Sequence, residues 1–331
     1  MAKNAIILFG ILLLCEKLWA PHVEAQTLLK MGYSGSAGFA TDLLKINERE
    51  GIWKKHGIDL RAIYLTSGTL MAQTLSAGEI GLAGFDVTAM LNLGVSGVTD
   101  LKVIAVLIDR LEYILVTRKE VKTGADLKNK RLAISRYGSV SDIVTRIAVQ
   151  YFKLDASRDV SILQSGNSST RIAALAAGHV DGAVVSPQQV EKVLATGCCH
   201  VLADLQELPI DYANYGVVVS GSLLKNQRQD VRRFLQALTE GIYVFKSRPE
   251  TAMAVLAQSL GSDDPKSLRP AYERLSKALH EYPVPESKAI QSILDSLNTP
   301  KARNAKAADF IDASLIKEIK DSGFINRLSG K

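Results

Sequence analysis

A chain of 331 residues, 47% hydrophobic and 22% charged, has the make-up of a globular protein with room for two modest domains, each with its own core. Its net charge of +6 is dispersed, with no arginine-rich face and no interleaving of aromatic and basic residues, so nucleic acid has no support as a partner. Three cysteines exclude a disulfide framework, and the adjacent Cys198 and Cys199 read as small buried thiols because sequence neighbours close only a strained ring.

Residues 1–25 stand apart. Lys3 precedes an apolar run over 5–14 that is too short to anchor in a bilayer, and Val23-Glu24-Ala25 places small residues ahead of a cleavage point at Gln26. This pattern marks a secretory signal peptide and a soluble, periplasmic mature chain. Leu14 immediately before Cys15 argues against lipid attachment.

A first strand over 27–33 enters the turn-rich loop Tyr33-Ser34-Gly35-Ser36-Ala37-Gly38, followed by a helix from Phe39 and a strand over 58–65. Ser67-Gly68-Thr69 then opens a short helix that stops at Gly78 ahead of a strand near 80–83. Phe85-Asp86 opens another helix over 87–93. The continuous apolar run at 101–108 reads as a strand covered on both faces. A strand over 112–117 and a charged connection over 122–129 with no apolar face lead to a restart of the pattern. Its parts are a strand at 131–135, the loop Arg136-Tyr137-Gly138-Ser139, a helix with apolar Val140, Ile143, Val144 and Ile147, and a strand at 160–163.

The turn Gly166-Asn167-Ser168, an Ala/Leu-rich helix, the stop at Gly178 and a strand over 180–185 repeat the plan of 65–83. The two terminal glycines lie 100 residues apart, and the first helix reads as shorter by two residues. A helix at 188–194, strands at 201–205 and 215–220, and helices at 230–246, 249–260, 268–279, 286–297 and 313–321 complete the chain. Strands alternating with helices in this way indicate an α/β fold of two lobes, each a mostly parallel sheet flanked by helices. Lobe 1 is expected over 26–112 and 217–331, lobe 2 over 113–216, with hinge crossings near 111–117 and 215–219.

No G-x-S-x-G, G-x-x-x-x-G-K, H-E-x-x-H or G-x-G-x-x-G motif occurs, and His56, His179, His200 and His280 are scattered. No catalytic residue, metal or cofactor is therefore expected. What remains is a set of polar loops at strand C-termini and helix N-termini, where open parallel sheets bind ligands and where free N–H groups favour an anion. Ser34, Ser36, Ser67, Gly68, Thr69, Asp86, Asp109, Ser139, Gly166, Asn167, Ser168 and Ser186 supply polar groups there. Tyr33, Phe39, Phe85 and Tyr137 offer flat apolar walls, and Arg110 and Arg136 offer guanidinium groups for a planar anion. Asp86 and Asp109 leave open recognition of an amine, or pairing with those arginines. Any one of these loops is explained by capping alone; their recurrence at corresponding positions in two lobes points to a cleft.

Particular stretches carry a family likeness: Glu50-Gly51-Ile52-Trp53-Lys54-Lys55-His56-Gly57, Ala77-Gly78-Glu79-Ile80, Thr123-Gly124-Ala125-Asp126-Leu127, Leu175-Ala176-Ala177-Gly178-His179-Val180-Asp181-Gly182-Ala183, and Val231-Arg232-Arg233-Phe234-Leu235. The chain resembles the periplasmic substrate-binding proteins of ABC transporters, in the alkanesulfonate/nitrate/taurine-type group that also contains thiamine-precursor binders. The resemblance implies a type II two-lobed fold that closes on a small solute and docks to a membrane permease, and says little about the ligand. The arginines Arg110 and Arg136 favour a small organic anion, and a monomer is expected. Val185-Ser186-Pro187 departs from the aromatic-acidic-proline sequence frequent in sulfonate-type members. The alternative is an enzyme on the same fold, a synthase or lyase. The cysteine-rich motif of thiamine-pyrimidine synthases is not matched, and a signal peptide does not suit a cytosolic biosynthetic enzyme.

Overall fold

Ten strands assort into two five-stranded sheets in a computed structural model that describes residues 26–34, 39–208, 211–297 and 299–330. The expected signal peptide and Ser36 lie outside the described residues, as does the side chain of Phe39. The strands are β1 (Thr27–Ser34), β2 (Ile58–Leu65), β3 (Leu82–Gly84), β4 (Leu101–Arg110), β5 (Ile114–Arg118), β6 (Arg131–Ile134), β7 (Ser161–Gln164), β8 (Gly182–Val185), β9 (Cys199–Asp204) and β10 (Asp211–Ser220).

The first sheet has the order β2-β1-β3-β10-β4 and the second β7-β6-β8-β5-β9. In the first, β1 runs parallel to β2 and β3, and β10 runs antiparallel to β3 and β4. In the second, β6 runs parallel to β7 and β8, and β5 runs antiparallel to β8 and β9. The antiparallel strand of each sheet is the one that directly follows a passage from the other sheet. Those passages lie between Arg110 and Ile114 and between Asp204 and Asp211. The return comes earlier than the β-forming run at 215–219 implies, because Asp211 and Tyr215 already pair with Arg110 and Ile108 of β4, through bulges.

The C-terminal helices belong with the first sheet. Val231, Phe234, Leu238 and Phe245 of the helix Arg228–Ser247 share one core with Leu29 and Met31 of β1, Ile104 of β4 and Val217 of β10. Trp53 stacks on Phe234 with ring centroids 5.5 Å apart. Further on, the Val106 N–H donates to Pro283 O at 2.9 Å and the Asp312 N–H to Val103 O at 3.1 Å, fastening the tail along β4. Among the described residues, no helix is long and apolar enough to cross a membrane.

The two copies of the repeat are closer than the sequence indicated. The helices Gly68–Ser76 and Ser168–Ala176 both have nine residues, so the first is not shorter. Ser67 Oγ accepts the Leu70 N–H at 3.2 Å and Asn167 Oδ1 accepts the Thr170 N–H at 3.0 Å, each satisfying a donor the helix itself cannot. Both helices end into a glycine at φ 75°, Gly78 and Gly178, a conformation that only glycine adopts without a Cβ penalty.

Three local readings change. The connection over 122–129 holds a 3-10 turn, Gly124–Leu127, that buries Leu127 completely, so it does have an apolar contact. A short helix, Phe324–Leu328, follows the last one expected. Cys198 and Cys199 are joined as a disulfide rather than left as thiols. The ring is closed at the turn that enters β9, with the Cα atoms at the 3.8 Å spacing of adjacent residues.

Candidate ligand-binding site

The loops that leave the C-terminal ends of the parallel strands face one another across a cleft of about 150 Å³. From the first sheet come Ser34, Tyr64, Thr66, Ser67, Gly68, Phe85 and Asp86. The second contributes Ser135, Ser139, Val140, Ser141, Asn167, Ser168, Arg171, Ser186 and Gln189. Tyr113, in the outgoing passage, and Tyr215, in β10, close the space between them.

On the first wall, β3 ends at Gly84 and the chain turns sharply. Phe85 sits at φ 73°, in the left-handed region that bulky residues rarely occupy, with its N–H donating to Gly216 O at 2.7 Å. That turn starts the helix Val87–Ser96 at Asp86, whose carboxylate accepts the Ala89 N–H at 3.0 Å and a bond from the Ser34 hydroxyl. Asp86 is 7% exposed. Burial raises its pKa to about 6 against the opposing effect of those bonds, and among the described residues no cation acts on it.

The second wall is built around Arg171, 4% exposed on the inward face of the helix Ser168–Ala176. Its guanidinium donates to Gly166 O at 3.0 Å, Val184 O at 3.3 Å and Ser168 Oγ at 3.2 Å, while Nε has no partner. Burial pushes its pKa down, opposed only by Tyr113, yet a guanidinium stays protonated. Among the described residues, none of its bonds is to a carboxylate. Beside it, Ser135, Ser139 and Ser141 form a triangle of hydroxyls with oxygens 2.8 to 3.0 Å apart, at the start of the helix Val140–Tyr151. Burial drives the Tyr113 phenol strongly upward, so it stays a neutral donor. Among the described residues no group of three or more His, Cys, Asp or Glu side chains is placed to hold a metal.

Of the residues read from the sequence, Ser34, Ser67, Gly68, Phe85, Asp86, Ser139, Asn167, Ser168 and Ser186 line this cleft. Others do not. Tyr33 packs behind Tyr64, ring centroids 5.8 Å apart, and it is Tyr64 that reaches the cleft. Thr69 is half-buried on the helix and absent from the lining. Arg110 pairs with Asp211 at 3.3 Å and lies 3.9 Å from Asp109, which also meets His280 at 3.2 Å; Asp109, Arg110 and Asp211 stand at the ends of the lobe passages. Arg136 is exposed, and its carbonyl accepts the Ser139 hydroxyl at 2.6 Å. Tyr137 lies over β7, donating to Ile162 O at 2.8 Å. Gly166 acts through its carbonyl on Arg171.

Arg171 is the residue that sequence reading missed. A signal was there: shifted by 100 residues it falls on Met71, which is fully buried, so an arginine stood on the apolar face of a repeated helix. Tyr113 and Tyr215 gave no such signal, since their place depends on how the passages run.

Two mostly parallel sheets joined by two passages, with a polar cleft between their strand ends, are the fold of type II periplasmic binding proteins. The NMT1/THI5-like family model matches residues 45–252, and the chain belongs to that family. A candidate binding protein of Brucella abortus (strain 2308) is 23% identical over 239 residues, covering 71% of this chain and 72% of that one. The alkanesulfonate-binding protein SsuA from Xanthomonas axonopodis pv. citri, bound to MOPS, superposes with a TM-score of 0.68 at 18% identity, covering 89% of this chain and 98% of that chain. The periplasmic nitrate-binding protein NrtA from Synechocystis PCC 6803 has a TM-score of 0.67 at 12% identity, covering 90% and 89%. At these identities the likeness is one of fold.

Proposed function

We propose that this chain is the extracytoplasmic solute-binding component of an ABC importer, capturing a small organic anion between its lobes and delivering it to a membrane permease. The observation that carries this reading is Arg171: a buried guanidinium without a carboxylate partner among the described residues, lining a cleft that both lobes build. A buried charge is stable only when paired, and an anionic ligand would complete the pairing. The N-termini of the helices Gly68–Ser76, Val140–Tyr151 and Ser168–Ala176 add positive potential at the same place. The anion site thus moves from Arg110 and Arg136, the arginines singled out by sequence, to Arg171. Alkanesulfonate and nitrate, the ligands named for the two structural relatives, are anions as well.

In this reading the passages at 110–114 and 204–211 act as the hinge between lobe 1 and lobe 2, and contacts from both walls favour the closed state. Residues 1–25 direct export to the periplasm, where the mature chain works as a monomer. A thermal-shift screen of carboxylates, sulfonates, nitrate, amines and pyrimidines tests the reading, since a ligand of the folded state raises the melting temperature by mass action. Anions are expected to stabilise the protein, and Arg171→Lys to weaken them. Stabilisation by uncharged or cationic solutes alone, unchanged in Arg171→Lys, would refute it.

A further inference from the structure

The cleft holds two buried charges of opposite sign that do not neutralise each other. Among the described residues, Arg171 has only carbonyl and hydroxyl partners, and Asp86 only the Ala89 N–H and the Ser34 hydroxyl. Neither is among the groups that shift the other's pKa, whereas Tyr113 feels both. Both line the same small space. An uncompensated charge in such a place costs far more than its few hydrogen bonds return, and the fold holds two.

We propose that the ligand is a small zwitterion, its anionic end on Arg171 and its protonated amine on the Asp86 carboxylate. This rests on the reading of Arg171 as the anion site and adds the second pole. The fold makes room for that pole. A Cβ on Gly68 would lie 1.9 Å from Asp86 Oδ2, so a side chain there would displace the carboxylate from the helix start against which it rests. The matching residue of the other copy, Ser168, lends its hydroxyl to Arg171 instead. At about 150 Å³ the cleft is of the size that accepts a benzene molecule, which suits short amino acids and ω-amino acids.

The pole at Asp86 also predicts a pH dependence. Its pKa of about 6 leaves it ionised at neutral pH and protonated in mild acid, where it no longer holds an ammonium group. The groups facing it are Ser34, Tyr113 and Tyr212, and burial keeps both phenols neutral throughout that range. Glu112, raised to about 7, acts on Tyr113 and titrates nearby, so the Asp86 variant is needed to separate the two.

The test is calorimetry on the mature protein with matched probes: glycine and acetate, β-alanine and propionate, 4-aminobutyrate and butyrate, 2-aminoethanesulfonate and ethanesulfonate. In at least one pair the amine-bearing member should bind about tenfold tighter or more near neutral pH. That advantage should shrink in mild acid and vanish in Asp86→Asn, which preserves the helix cap because Asn caps as well as Asp. Arg171→Lys should weaken both members. If the deaminated members bind as tightly and Asp86→Asn leaves the ratio unchanged, the zwitterion is wrong while the anion site stands. Should no pair bind, or should Arg171→Lys bind as wild type, both readings fall.

Discussion

The two copies of the loop–helix–strand unit share a backbone and divide the chemistry between them. Ala72 and Leu75 are buried in the first helix, and Ile172 and Leu175 in the second. At the adjacent inward position the first copy has Met71, which completes a core, and the second has Arg171, which places a guanidinium in the cleft. At the helix start the first has Gly68, which leaves space for Asp86, and the second has Ser168, which hydrogen-bonds Arg171. Past the strand the first has Asp86 and the second Ser186, both at the N-cap of the next helical turn. A symmetric frame thus delivers capped helix ends to both walls, and substitutions at a few matched positions make the walls opposite in charge.

Converting one copy into the other breaks this asymmetry most directly. Arg171→Met gives the second helix the residue of the first. Binding of small anions should weaken about a thousandfold, as expected when one partner of a buried charge pair is removed. The ligand-free melting temperature should hold or rise, because an apolar residue of similar length replaces an unpaired buried charge. Calorimetry and thermal denaturation read the two effects separately, and a collapse of stability without a specific loss of binding would show Arg171 to be structural.

The acidic pole should announce itself in the ligand-free protein. Asp86 has a pKa of about 6 when folded against an ordinary value of 3.8, so the folded state binds more protons than the unfolded one between those values. Its ionisation therefore opposes folding above about pH 6, and that cost is relieved as the pH falls through 6 toward 4. The penalty at neutral pH is on the order of 3 kcal/mol. Asp86→Asn should raise the unfolding free energy near neutral pH by up to that amount and leave it unchanged in acid. Asp42, raised to about 6, and Glu112, raised to about 7, act in the same direction, so the wild type should also be more stable in mild acid. Denaturant titration across that range checks both statements.

Smaller effects sharpen the comparison. Gly68→Ala must push a Cβ against Asp86 and to within 2.8 Å of Ala89 Cβ, costing about 1–3 kcal/mol. Ser168→Ala, at the matched position, should change stability by less than about 0.5 kcal/mol and register in ligand binding instead. Last come the caps. Ser67→Ala and Asn167→Ala each remove one acceptor from a helix start and should each lower stability by about 1 kcal/mol. Only the second, whose neighbour Ser168 touches Arg171, should also weaken an anion.

Much of this was determined by the sequence. Ten strands, the alternation with helices, and the two matched helix starts followed from hydrophobic period and turn chemistry, which act over a few residues. The cap residues Ser67, Asn167 and Asp86 reached the cleft for the same reason: a helix that starts where a parallel strand ends delivers its cap to that edge. Tertiary structure decided the rest. Arg110 and Arg136 also stand near strand ends, but β10 pairs with β4 from Asp211 onward and binds Arg110 to the passage. Arg136 stays on the surface, outside the cleft lining. Tyr113 and Tyr215 enter the cleft because the chain crosses between sheets beside them. Whether a buried charge finds a counter-charge depends on residues brought together from far along the chain, and no local pattern records that Arg171 and Asp86 each lack one.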